Sequence, residues 1–378
     1  MYKLSISFGV FIALLFSLVF IPRAEAQIDL KLGGYTQFWY LPYQGGDVGE
    51  DSDEGVFNTG ETFENSGFRV RRARLTARGR INDTFSATTW LELAGPNNIL
   101  LDFHIDARIN SWLNLRAGQF IMPGQTFDTG RLVSSRLRFW ERPQATTQLA
   151  GSMGYNAFRD IGVMAYGSYG RLWYGIHAGN GAGRFTQAGT QIRERDFGSG
   201  LYGARVDYEA IDGLTIGGHV STNQQNNLVE QAGQDPIDID RTSWSLRLNT
   251  DNLGVDRLYT QFEYLTMYVN DDSRGATTID EEYDMHGWYA EAGYGITPEW
   301  HVLARYDQTV QKPGQLGVYD GTGRYTRDAI TVGATRYVFS DNREIGRLNI
   351  NYSYGKRNPA SLSDHLVAVV LQLRFIPI

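Results

Sequence analysis

Between residues 99 and 109 the chain alternates. Ile99, Leu101, Phe103, Ile105, Ala107 and Ile109 are apolar, while Asp102, His104, Asp106 and Arg108 between them are ionisable. In an extended strand, successive side chains point to opposite faces. This segment therefore predicts a strand with one wholly apolar face and one face carrying charges of both signs. A soluble sandwich also alternates, so one strand decides little. What constrains the fold is that the same period recurs along nearly the whole chain, behind a secretory leader and without a single cysteine. A closed transmembrane antiparallel β-barrel satisfies both faces, with hydrocarbon outside and water inside. The fold class expected is all-β.

The leader is read from Lys3, the apolar run Phe8 to Ile21 and the small-x-small site Ala24-Glu25-Ala26. It predicts a signal peptide over 1–26 and a single barrel domain over 27–378. No later stretch is apolar for the 18 or so residues that a spanning helix needs. The mean hydropathy of −0.34 is no obstacle, because only alternate residues of a barrel strand face lipid. Forty-three glycines and 13% aromatic residues suit a sheet with many turns and aromatic girdles at both interfaces. Zero cysteines exclude disulfides, thiolate metal sites and a cysteine nucleophile. A formal net charge of −7 argues against a nucleic-acid partner.

Alternation and turn residues divide the chain into about sixteen strands. The first five are expected at Leu30–Tyr40, Phe68–Arg80, Phe85–Ala94, Ile99–Ile109 and Leu113–Phe120. The next five are Asp160–Tyr169, Leu172–Ala178, Leu201–Tyr208, Leu214–Ser221 and Ser243–Leu248. The last six are Leu258–Tyr268, Trp288–Tyr294, Trp300–Tyr306, Ala329–Tyr337, Leu348–Tyr354 and Leu366–Phe375. Tight turns at Asn82-Asp83, Asn110-Ser111, Asp212-Gly213 and Thr297-Pro298 alternate with long polar connections. Such asymmetry between two rims fits an outer-membrane barrel. The longest connection, the third, runs from Ile121 to about Phe158. A loop of that length needs a reason, and folding inward to narrow the lumen is the one expected.

The densest chemical feature is Phe68-Arg69-Val70-Arg71-Arg72-Ala73-Arg74-Leu75-Thr76-Ala77-Arg78-Gly79-Arg80. Its apolar parity switches between Val70 and Ala73, which a bulge at Arg71-Arg72 would repair. Arg69, Arg72, Arg74, Arg78 and Arg80 then point inward, where water and anions receive them, and not into lipid. Arg108 and Arg116 are further inward cations; Glu92, Asp102 and Asp106 are inward acids. In the third loop, Arg136 and Arg138 are the candidates for a constriction facing Asp102, His104 and Asp106. A competing reading is that the arginines pair with inward acids and only stiffen the wall.

Gly67-Phe68-Arg69-Val70-Arg71-Arg72-Ala73-Arg74-Leu75 resembles the G-F-R-x-R-R-A-R-L segment of the phosphate-selective porin O and P family. Gly118-Gln119-Phe120 with Pro123 is similar to that family's G-Q-F-K-x-P segment. Ser134-Ser135, then Phe139-Trp140-Glu141-Arg142 and Arg159-Asp160-Ile161-Gly162-Val163, resembles its S-S…F-x-E-R…R-D-I-G-V run. The resemblance implies a trimeric outer-membrane porin of sixteen strands, with the third loop folded into the pore and a cationic ladder guiding anions. Two departures stand out. Ile121 replaces the family lysine after G-Q-F, with Lys31, Lys312 and Lys356 the only lysines after the leader. Phe375, moreover, is followed by Ile376-Pro377-Ile378.

The expected activity is passive diffusion of small hydrophilic solutes with an anion preference; the resemblance implies a preference of phosphate type. Expected partners are outer-membrane lipid and lipopolysaccharide, small anionic or polar solutes, and two further copies in a homotrimer, with no cofactor, metal or catalytic residue. A non-selective general porin is the alternative. A barrel hydrolase would need a nucleophile beside a histidine, for which His219 and Ser221 are the nearest candidates. A soluble glycan-binding β-protein would need polar outward positions, whereas Leu214, Ile216, Val220, Trp244, Leu246 and Leu248 are apolar or aromatic.

Overall fold

In the computed structural model, the described residues are 29–46, 66–94, 99–123, 139, 141–152, 159–181, 183, 200–228, 237–271, 282–311, 325–339, 345–358 and 362–375. The leader and Arg136 and Arg138 lie outside them. Sixteen antiparallel strands form one closed barrel. They are β1 (Asp29–Gly46), β2 (Gly67–Arg80), β3 (Phe85–Glu92), β4 (Ile99–Arg108), β5 (Asn114–Ile121), β6 (Arg159–Tyr169), β7 (Leu172–Gly179) and β8 (Gly200–Ile211). There follow β9 (Leu214–Leu228), β10 (Ile237–Asp251), β11 (Leu258–Asp271), β12 (Glu282–Gly295), β13 (Trp300–Gln311), β14 (Tyr325–Tyr337), β15 (Gly346–Asn358) and β16 (Leu362–Phe375). Each strand pairs with its sequence neighbours, and β1 pairs with β16 to close the ring. Closure leaves no unpaired edge, the condition for a sheet to cross hydrocarbon.

All sixteen expected strands are present. From β8 onward most run on at the end that meets the long connections: β10 spans Ile237–Asp251, against an expected core of Ser243–Leu248. There the outward positions become polar, as at Asp240 and Thr242, while the ladder continues. Apolar alternation marks only the part that meets hydrocarbon; hydrogen bonding does not stop there.

The two faces separate cleanly. Leu75, Phe103, Ile105, Ile176, Val206, Ile216, Val220, Leu246, Val332 and Ile350 are exposed on the outside. The residues between them are polar and buried, among them Arg72, Asp102, Arg205, Asp207, Ser245, Glu263 and Asn349. On the outer face, Tyr40 stacks on Phe68 with ring centroids 4.4 Å apart, and Trp288 lies 5.0 Å from Tyr306. Tyr40 and Phe68 lie toward the long-loop end, and Trp288 and Tyr306 near mid-strand. Trp112, Tyr169, Tyr294 and Trp300 are exposed at the opposite end. Two aromatic bands of this kind sit at headgroup depth in membrane barrels.

Two bulges shape the arginine-rich quarter. In the β1–β2 ladder Gln37 pairs with Arg72 and Phe38 with Val70, so Arg71 is the extra residue. The expected bulge is there. In the β3–β4 ladder Trp90 pairs with Asp102 and Leu91 with Leu100, which leaves Leu101 as an extra residue. This corrects the reading of 99–109 as one uninterrupted alternation. Phe103 and Ile105 face outward and are exposed, but Leu101 is buried, and Leu100 takes the outward position.

A helix, α1 (Gln144–Ser152), lies among the described residues of the third connection, where the sequence predicts only a loop. Ala145 and Leu149 belong to a buried cluster with Leu265, Met267 and Val269 of β11 and Met285 and Tyr289 of β12. No helix among the described residues is long and apolar enough to cross a membrane, which says nothing about strands.

Candidate functional site

The β2 arginines share a face by register. Arg69 lies opposite Trp39, Arg72 opposite Gln37 and Arg74 opposite Tyr35, and those three β1 residues are buried. Arg78 lies opposite Lys31 and Arg80 opposite Asp29. The bulge at Arg71 keeps all five on one side, because a slip of one residue would reverse every later side chain.

Along this row the arginines fall into two groups. The first group is held by carboxylates. Arg72 is 2% exposed; its Nη2 donates to Glu141 Oε1 at 2.9 Å and Oε2 at 2.7 Å, and its Nη1 donates to Gln37 Oε1 at 2.6 Å. Arg71 Nη2 reaches Glu141 Oε2 at 3.3 Å. Arg74 Nε donates to Glu92 Oε2 at 2.7 Å and its Nη1 to the Tyr35 hydroxyl at 2.8 Å. Aromatic rings support the cations: Arg69 and Arg71 lie 5.4 and 5.3 Å from the Trp39 ring centre.

The second group is open. Arg78 and Arg80 are exposed, as are Lys31 and Arg108. None of the four makes an ion pair that is seen among the described residues. They line a cavity of about 740 Å³ at the short-turn end, together with Arg116, Asp29, Asp83, Asp106 and Tyr166. Arg116 is engaged there: its Nε donates to Asp106 Oδ1 at 2.7 Å, which also accepts from the Tyr166 hydroxyl at 2.9 Å. His104 Nε2 is 3.3 Å from Asp106 Oδ2. Asp102 is held by Arg159, whose Nε donates at 2.9 Å. The acids expected to face Arg136 and Arg138 thus have partners on β5 and β6.

The sequence names Glu141 within the third connection but assigns it no role at the site. Burial alone would raise the Glu141 carboxyl, but Arg72, Arg71 and Arg142 hold it well below the usual carboxylate range. The same stretch is fastened to β13. Arg305 Nη1 donates to the Glu141 carbonyl at 2.9 Å, and the Gln144 amide donates to Asp307 Oδ1 at 3.0 Å. Residues 141–144 are therefore bonded to β2 at one point and to β13 at another. The available signals were the F-x-E-R resemblance and Glu141 itself, the lone acid among Arg136, Arg138 and Arg142.

The histidine–serine candidate resolves into a different arrangement. Ser245 Oγ donates to Glu263 Oε1 at 2.9 Å and lies 2.7 Å from His219 Nδ1. Ser243 Oγ is 3.5 Å from His219 Nε2 and 3.0 Å from Ser221 Oγ. Each of these side chains is buried, and the strand amides beside them are committed to the ladder. A hydrolase needs amide or side-chain donors pointed at a developing oxyanion, so this reads as a satisfied wall network. Among the described residues no group of three or more His, Cys, Asp or Glu is disposed to hold a metal ion.

A closed sixteen-strand cylinder with an apolar belt outside and a charged wall inside defines a bacterial outer-membrane porin barrel. The sequence matches the phosphate-selective porin O and P family over residues 47–375, and the chain belongs to that family. No curated protein matches it in sequence. Among solved structures it is similar to OmpTdeltaL8, a loop-deletion mutant of the outer membrane protein OmpT of Vibrio cholerae. The TM-score is 0.63 at 10% identity, covering 92% of this chain and 99% of that one. It is also similar to an anion-selective porin from Comamonas acidovorans, with TM-score 0.60, 14% identity and coverage of 92% and 100%. The outer membrane channel DcaP of Acinetobacter baumannii gives TM-score 0.59 at 14% identity, covering 94% and 99%. At these identities the likeness is one of fold. The protein resides in the bacterial outer membrane.

Proposed function

We propose that the chain is a passive diffusion channel for small hydrophilic solutes with a preference for anions, working in the membrane as a homotrimer surrounded by lipid and lipopolysaccharide. The observation that carries this reading is the exposed set Lys31, Arg78, Arg80 and Arg108 around the cavity at the short-turn end. Lys31 and Arg78 stand directly opposite one another across the ladder, an arrangement that is unfavourable without a counter-ion. Arginine keeps its charge at any physiological pH, so most of this field is permanent. No reaction is needed; a solute must bind weakly enough to leave again. Residues 141–152, fastened to β13 and packed on β11 and β12, support a third loop that folds inward and narrows the bore.

The test is the reversal potential of the channel in a planar bilayer under a potassium chloride gradient. An anion-selective sign is expected, and a cation-selective sign rejects the preference while leaving the pore. Arg78→Gln with Arg80→Gln should lower the anion-to-cation permeability ratio by about twofold or more, since these charges set the potential at the mouth. Arg72→Gln should change it much less, because that charge is already met by Glu141. The preference should fade in 1 M salt, where the screening length falls to about 3 Å.

A further inference from the structure

We propose that Lys356 on the outer wall, with Tyr43, Tyr352, Tyr354 and His365 beside it, is the docking point for a phosphorylated sugar headgroup of the lipopolysaccharide around the barrel. This rests on the reading of the chain as an outer-membrane channel whose long connections face the outer leaflet.

Lys356 points away from the bore. On β15, Ile350 and Tyr352 are exposed on the outside, while Asn351 and Ser353 are buried. Lys356 has the parity of the first pair and is exposed. It stands directly opposite Asp328 of β14 and Ser363 of β16. Asp328 is nevertheless engaged on its other side. Its Oδ1 accepts from the Tyr306 hydroxyl at 2.8 Å and from Gln308 Nε2 at 2.7 Å, both on β13. Lys356 makes no ion pair among the described residues.

The rings beside it are ordered. The Tyr352 hydroxyl lies 2.7 Å from His365 Nδ1. Tyr354 is opposite His365 in the β15–β16 ladder, with ring centres 4.9 Å apart. On the other side of His365, β1 presents Gly45. A Cβ there would lie 2.9 Å from the Tyr43 hydroxyl, so the missing side chain leaves room for the exposed Tyr43 ring. Four rings from three strands thus border one patch next to the ammonium.

Charge selects this patch over the rest of the rim. Asp240 of β10, Asp284 of β12 and Asp328 of β14 put carboxylates on the outer face at the same end. Those repel a phosphate. Among the described residues of that end, Lys356 is the one exposed lysine or arginine on the outer face. An ammonium binds phosphate as a point charge, and cations at the membrane edge recognise lipid phosphates. Tyrosine offers an apolar face with a hydroxyl at its rim, which suits a sugar ring. A phosphatidyl headgroup supplies the phosphate but no such ring, so the pairing favours a phosphorylated glycolipid.

The probe is lipid A, added to protein refolded in detergent without lipopolysaccharide, and binding is read by native mass spectrometry. Lys356→Gln is expected to weaken binding about tenfold, the loss of roughly one charge-assisted contact. Lys356→Arg should keep it. Arg336→Gln removes a cation that lies over Trp300 at the opposite end and should leave binding unchanged. If Lys356→Gln binds as tightly as the wild type, or if Arg336→Gln loses as much, the proposal is overturned. Fewer trimers in Lys356→Gln with lipid A binding intact would give the patch to a second copy, and also overturn it. Should Lys356→Gln fail to fold, lipid A stripped of its phosphates tests the same contact from the ligand. It should bind the wild type about tenfold more weakly, and equal binding overturns the proposal. Lipid binding needs no channel current and the reversal potential needs no lipid A, so either reading can fail while the other stands.

Discussion

Glu141 and Arg71 show how unevenly single residues declare themselves. The extra residue at Arg71 is visible in the sequence because apolar side chains change parity between Val70 and Ala73, and lipid tolerates no such change without a bulge. The bulge at Leu101 is hidden, because Ile99, Leu100 and Leu101 are all apolar and either parity looks acceptable. Glu141 falls in the F-x-E-R resemblance, but nothing near it in sequence tells what it binds; its partners are 69 and 70 residues away. Its depressed carboxyl has a consequence for pH. A group whose folded pKa is lowered contributes stability above its unfolded value of about 4.5, and loses it only as pH falls through the folded value. The Arg71–Glu141–Arg72 contact should therefore persist from pH 8 to pH 5. Any change of single-channel conductance over that range should then be the same in the wild type and in Glu141→Gln, and a step present in the wild type but lost in that variant would show that Glu141 titrates there.

At the scale of elements, the strands were legible and their ends were not. Alternation marks the part of a strand that has one side on hydrocarbon; beyond it, as in β9 and β10, the pairing continues on backbone hydrogen bonds. Helix α1 was illegible for another reason. Gln-Ala-Thr-Thr-Gln-Leu-Ala-Gly-Ser has few apolar residues, and its position depends on the β11–β12 wall that receives Ala145 and Leu149. Register gives a sharp prediction. Deleting Arg71 should leave a foldable barrel, because Val70 and Arg72 already pair with the adjacent residues Phe38 and Gln37. Deleting Ala77 should not, because it reverses the faces of either half of β2. Heat-modifiable migration on gels, with protease protection, distinguishes the two. Equal folding of both variants would disprove the register argument.

For the whole molecule, the decisive fact is a ring whose first and last strands pair. Every strand then has two neighbours, and the only surfaces left to satisfy are inside and outside. The outside is apolar between its aromatic bands. Leu246, 59% exposed at the middle of β10, faces that belt. Leu246→Arg should cost about 2–4 kcal/mol if it lies near the bilayer midplane. Denaturant unfolding of the protein from lipid vesicles measures this, and a cost near zero would place β10 outside the hydrocarbon. The charged wall was readable as a list of inward residues. Which of those charges are spent on one another was not, because that depends on register across strands and on the third connection.

If the third connection folds into the bore as proposed, the segment that binds Arg72 of β2 with its side chain and β13 with its backbone acts as a strut fixed at two stations of a circle. A strut divides a circle unequally, and traffic follows the larger share. The calibre felt by a solute would then be decided by where those two fastenings lie, and much less by how many strands make up the circumference. Two barrels with the same number of strands could pass quite different molecules by moving one fastening a single residue.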